Sequence, residues 1–157
     1  MAAKSKPDMF RIERSTTIKA PPERIFPLIE DFRHWQSWSP YEKRDPAMTK
    51  THSGAQSGQG AIYEWAGRKA GVGRMEILEA SPPSRVLIKL DFSKPMKAHN
   101  HAEFMLGPQA DSTRVTWAMY GPKTLLSNIM GMFFSMDKLV GKDFEKGLAN
   151  LKALTEP

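Results

Sequence analysis

The sequence has no cysteine in 157 residues, which excludes disulfides, a thiolate nucleophile, iron–sulfur ligation and cysteine-based zinc sites. It also lacks a long apolar run. The longest, Ile129 to Phe134, falls far short of the roughly 20 residues that cross a bilayer. The opening Met-Ala-Ala-Lys-Ser-Lys-Pro carries lysines without the apolar stretch of a secretory signal. No stable membrane insertion and a cytoplasmic location are therefore expected. Missing too are a Gly-x-Ser-x-Gly elbow, a phosphate-cradling loop and a dinucleotide fingerprint, since Gly71-x-Gly73 is followed by neither a third glycine nor a helix. No cofactor is expected.

Charge is present in surplus, 23 Lys and Arg against 17 Asp and Glu for a net +6, but it is dispersed. Arg11, Arg14 and Lys19 alternate with Glu13, and Lys43, Arg44 and Lys50 lie among Glu42 and Asp45. Lys138, Lys142 and Lys146 form a helical row with acidic neighbours, the pattern of a solvated helix face. A nucleic-acid partner is not expected, because such partners are met by clustered basic side chains.

Length sets one domain with a sizeable core: a flexible segment at 1–8, a single domain at 9–154 and a tail at 155–157. Phe10, Ile12, Thr16 and Ile18 alternate with polar residues as a half-buried strand does. Pro21-Pro22-Glu23 then starts a short helix whose apolar face is Ile25, Leu28, Ile29 and Phe32. Trp35 to Pro40 reads as a second short helical turn closed by the proline. Six further strands follow, near 47–53, 60–66, 72–79, 85–92, 97–106 and 113–120, separated by turn residues such as Gly67, Pro82-Pro83 and Gly107-Pro108. Short connections favour antiparallel pairing. From about Lys123 to Leu154 the period becomes helical, with Ile129, Phe133, Met136, Val140, Phe144, Gly147, Leu151 and Leu154 on one arc. The expected class is α+β: a curved seven-stranded antiparallel sheet around one long C-terminal helix, with two short helices after the first strand. A twisted sheet cannot press flat along a rod, so an interior gap is expected between them.

Alternation names the lining of that gap: Tyr63, Trp65, Met75, Ile77, Ile88, Leu90, Phe92, Asn100, Phe104, Trp117 and Met119 from the strands, and Phe133, Met136 and Val140 from the helix. Asn100 is the polar member of its face, placed either to orient a ligand or to be satisfied by backbone and water. Met75, Met119, Met130, Met132 and Met136 suit a forgiving apolar surface. Catalytic groups are few. His99, His101 and Glu103 share one strand face, but an outward one, so no metal is expected. Glu64, between Tyr63 and Trp65, is the carboxylate with aromatic neighbours, yet alternation turns it to solvent. Arg14 falls on the Ile12 and Thr16 face, as an edge or ion-paired arginine.

Ile18-x-Ala20-Pro21-Pro22-Glu23-x-Ile25-Phe26, Trp35-x-x-Trp38-Ser39-Pro40, Gly60 before Tyr63-Glu64-Trp65, Thr113-x-Val115-x-Trp117 and the closing Phe144-x-x-Gly147-Leu148-x-x-Leu151 are together similar to one family. The chain resembles the START-like helix-grip superfamily, in its polyketide cyclase/dehydrase-like (SRPBCC) branch, over residues 9 to 154. The resemblance implies binding of a hydrophobic or amphipathic small molecule, such as a lipid or polyketide-like compound, in an internal cavity. Binding is the favoured reading; the alternatives are a cyclase, aromatase or dehydrase acting in that cavity and, second, a chaperone-associated interaction protein. Edge strands of such a sheet are available for pairing into a homodimer.

Overall fold

The computed structural model describes the backbone of residues 9–123 and 130–157, and the side chains of all of these except 130–134. The element order is β1 (Met9–Ile18), α1 (Pro22–Glu30), two 3-10 turns (Phe32–Ser37 and Pro40–Lys43), β2 (Thr49–Gly54), β3 (Ala61–Gly67), β4 (Gly71–Ser81), β5 (Arg85–Lys94), β6 (Ala98–Gln109), β7 (Ser112–Pro122) and α2 (Met130–Thr155). The strands form one sheet in the order β1-β7-β6-β5-β4-β3-β2, every neighbour antiparallel. This is the helix-grip α+β architecture expected from the pattern.

Two local readings change. Pro40 opens a helical turn instead of closing one: Ser39 stands at its N-cap, its Oγ accepting from the Tyr41 N–H at 3.3 Å, and proline suits the first position because its missing N–H has no intrahelical partner there. The register of β4 against β5 slips between Ile77 and Glu79, leaving Leu78 as an extra residue turned to solvent, and such a bulge bends and twists the strand. The start of the long helix near Lys123 lies partly outside the described residues.

The core is aromatic. Trp35, Trp38, Phe104 and Trp117 meet with ring centroids 4.8 to 6.1 Å apart, mostly edge to face, a geometry that suits the ring quadrupoles. The indole N–H groups of Trp35 and Trp38 donate to the Ile29 and Leu28 carbonyls of α1 at 2.8 Å, so burying them leaves no orphan donor. Onto this core α2 lays Phe144, Leu148 and Leu151, all buried. Leu154, placed on the same arc by the sequence, is half exposed, and the Lys138, Lys142 and Lys146 row faces water as expected.

Polar contacts fix the helix. Arg14 of β1 reaches Asp137 and Glu145, the ion-paired form of the two expected for it. Arg44 grips Asp143 through two bonds of 2.8 and 2.9 Å, and the Asn150 side-chain amide donates to the Trp38 carbonyl at 2.9 Å. At Gly147 the helix packs tightly on β7: a Cβ there would lie 2.8 Å from the Trp117 ring.

Two stability tests follow from this docking. Gly147→Val pushes α2 off Trp117, and overpacking of this kind costs about 2 kcal/mol, which exceeds the gain of roughly a few tenths of a kcal/mol that valine has over glycine in helix propensity; urea denaturation reads the loss. The Arg44 guanidinium holds the Asp143 carboxyl below its usual value of 3.8. A carboxyl depressed in the folded state adds stability above that value and loses it as the pH falls below it. Because Arg44 is half exposed, the pair contributes at most about 1 kcal/mol. Arg44→Ala is therefore less stable than the parent by up to that amount at about pH 6, and the gap narrows toward about pH 3 in parallel urea titrations.

Candidate functional site

Between α2 and the strands lies a cavity of about 340 Å³. Its walls come from four sources. The sheet supplies Tyr63, Trp65, Met75, Leu90, Phe92, Ala102, Trp117 and Met119; α2 supplies Val140 and Phe144; the 3-10 segment supplies Trp35, Ser39, Tyr41, Glu42, Arg44 and Met48; the β3–β4 turn supplies Lys69 and Ala70. Of the lining expected from alternation, Tyr63, Trp65, Met75, Leu90, Phe92, Trp117, Met119 and Val140 are in place.

Burial sets the others apart. One cross-strand row runs Met119–Ala102–Ile88–Ile77, the first two lining the cavity and the last two fully buried, and Phe104 is fully buried opposite Trp117. Pairing register alone does not separate lining from core. Asn100 is buried beyond the cavity, where its Oδ1 packs against Gly121. Met136 is half-buried against the core and outside the lining. Phe133, with Met130 and Met132, lies outside the described side chains.

Trp65 lies across Gly73, where a Cβ would clash with the indole ring; any larger residue there would displace the ring. The Trp65 N–H donates to the Ala70 carbonyl at 3.3 Å. Asp45 Oδ2 accepts from the backbone N–H groups of Lys69 and Ala70 at 3.0 and 3.1 Å, which clamps the β3–β4 turn to the end of the 3-10 segment and closes that side of the cavity.

The chemically distinct member of the lining is Glu42. Its side chain is 6% exposed, and it receives the Tyr63 hydroxyl on Oε2 at 2.7 Å and the Lys50 ammonium on Oε1 at 3.0 Å. Burial and the adjacent carboxylate push the Tyr63 phenol well above its ordinary value, so it stays a donor. Tyr41 is shifted the same way by burial and by Asp143. In the sequence Glu42 reads as part of a solvated charge run, because Lys43, Arg44 and Asp45 follow it directly. A signal was present, however. Ser39-Pro40-Tyr41-Glu42 has the spacing of a capping box, in which the glutamate turns back to the cap's N–H. Here the Ser39 N–H already donates to the Trp35 carbonyl at 2.8 Å, and Glu42 turns inward instead.

Glu64 faces solvent on β3, as alternation requires. On the outer face His99 pairs with Asp91, His101 stacks on Tyr120, and Glu103 pairs with Arg85. A second depression, of about 310 Å³, runs beside Asp31 and β2 past Arg33, Ser53 and Gln56. Its polar floor offers little apolar surface to a ligand. Among the described residues, no helix is long and apolar enough to cross a membrane.

Comparison with known proteins places this geometry. A protein from Chromobacterium violaceum is 18% identical, over 97% of this chain and 99% of its own, with a TM-score of 0.63. Ara h 8.0201 is 10% identical over 92% of this chain and 99% of its own, with a TM-score of 0.63. The di-domain ARO/CYC BexL from the BE-7585A biosynthetic pathway is 9% identical, over 96% of this chain and 51% of its own, with a TM-score of 0.71. At these identities the likeness is one of fold. No curated protein matches the sequence. The family described as polyketide cyclase / dehydrase and lipid transport matches residues 9–156, and the chain belongs to that family.

Proposed function

We propose that the protein binds a hydrophobic or amphipathic small molecule in the cavity between α2 and the sheet. The observation that carries this reading is a cavity of about 340 Å³ walled by aromatic and methionine side chains with one buried carboxylate, the makeup of a small-molecule site. Family membership supports the same class of role. Size bounds the ligand. A dry cavity of about 150 Å³ holds benzene, so this one accommodates two or three fused or linked rings. A ligand that buries about 300 Å² of apolar surface gains about 7 kcal/mol before association costs, which sets dissociation constants at roughly 10 µM or weaker.

A cyclase-type reaction in the same cavity has Glu42 in its favour, since a carboxylate can remove a proton next to a carbonyl. Binding is the better supported reading, because Glu42 is already held by two donors and the phenols of Tyr63 and Tyr41 are turned to Glu42 and Asp143.

N-phenyl-1-naphthylamine, a neutral three-ring dye that brightens in apolar surroundings, tests the reading. Val140→Trp fills the cavity from α2, whereas Leu139→Trp adds the same ring at a position 69% exposed. The dye is expected to bind the parent and Leu139→Trp alike and to lose at least about tenfold in affinity for Val140→Trp. Equal binding by all three refutes a ligand site in this cavity.

A further inference from the structure

This inference rests on the ligand-binding reading and concerns which ligands the cavity accepts. Glu42 is the buried anion in its wall, held by Tyr63, which also lines the cavity, and by Lys50, which does not. Tyr63 donates to Oε2 and Lys50 to Oε1. Each carboxylate oxygen has a second acceptor position, so half of the group's capacity is unspent. Lys50 is not part of the lining, so an occupant meets the carboxylate and not the ammonium behind it.

The other polar groups offer less. The indole N–H groups of Trp35 and Trp65 are given to backbone carbonyls, Ser39 Oγ caps its own turn, and Arg44 is paired with Asp143. Lys69 is exposed, and its charge is screened by water. A buried ion pair such as Glu42–Lys50 is weak as a source of stability, because desolvation offsets the attraction. Its consequence is felt by whatever shares the dry volume. A hydroxyl or amine gains a charge-assisted hydrogen bond there, while a carboxylate is set against a like charge in a low dielectric.

We propose that Glu42 determines ligand specificity: it accepts a hydrogen bond from a hydroxyl or amine on a flat, neutral, two- or three-ring apolar ligand, and it excludes carboxylates, fatty acids among them.

Three probes share one ring frame and differ only in the group presented: naphthalene, 2-naphthol and 2-naphthoate. Equilibrium dialysis near neutral pH gives their affinities for the parent protein and for Glu42→Gln, with circular dichroism checking the fold. In the parent, 2-naphthol is expected to bind at least about tenfold more tightly than naphthalene, and 2-naphthoate at least about tenfold more weakly. In Glu42→Gln the penalty on 2-naphthoate collapses and the advantage of 2-naphthol shrinks. Should that variant not fold, intermolecular nuclear Overhauser effects in the parent decide: ring protons flanking the hydroxyl of bound 2-naphthol must approach the Glu42 side chain. Three equal affinities, 2-naphthoate matching naphthalene, a ranking unchanged in Glu42→Gln, or a hydroxyl edge directed elsewhere overturns the role of Glu42 and leaves the cavity reading standing. If none of the three binds, both fall.

Discussion

The structure turns on the stack of Trp117 against Phe144, whose ring centroids lie 4.1 Å apart at an interplanar angle of 12°. Here the helix meets the inward face of β7, one turn from Gly147, which must stay small for the indole to fit. Toward one side of the stack, Trp35, Trp38 and Phe104 close around Trp117 and fill the interior. Toward the other, Met119, Ala102 and Leu90 continue the inward face with smaller or more flexible side chains, and the volume stays open. A single aromatic contact therefore divides packed core from cavity. Had Ala102 been a second phenylalanine, the core would have run on and no vessel would remain.

The same stack explains the polar arrangement around it. With α2 held at Phe144, Asp143 is delivered to Arg44, and Asp137 and Glu145 to Arg14. These pairs sit at the rim of the helix, where water screens them, and they act as register marks more than as large stabilising terms. Glu42 differs because it is buried. It enters the wall on a turn set by Ser39 and Pro40, and two donors offset the cost of taking its charge out of water. The cavity thus combines a lining made by strands, which alternation dictates, with a charge supplied by the connection between α1 and β2.

That division is also the division between what was legible in the sequence and what was not. Seven strands, their antiparallel order and the covering helix follow from period-2 and period-3.6 patterns, and so does the inward face of each strand. Depth along that face does not. Ile88 and Leu90 read alike, as do Phe104 and Ala102, yet one of each pair lies in the core and the other at the cavity; even cross-strand partners such as Ile88 and Ala102 are split in this way, because depth is set by the elements that cover the sheet. Asn100 was found as a buried polar residue and misplaced by the same ambiguity. Glu42 was hidden for another reason: a charged run in a short connection reads as solvated, and only the coincidence of a Ser-Pro cap with an already satisfied Ser39 N–H turns its glutamate inward.

Connections vary more readily than strands, since they carry few ladder hydrogen bonds and tolerate changes of length. A fold shared by proteins 9 to 18% identical to this chain can therefore keep its strands while its connections change. In this chain the strands contribute aromatic and methionine surface with little selectivity of its own, whereas the 3-10 segment contributes Tyr41, Glu42, Arg44 and the Asp45 clamp within a few consecutive residues. What the cavity discriminates is concentrated there. A change at Glu42 alters the charge that an occupant meets and releases Lys50 and the Tyr63 hydroxyl, while a change at Trp117 alters the vessel itself. Selectivity and architecture are thus carried largely by different residues.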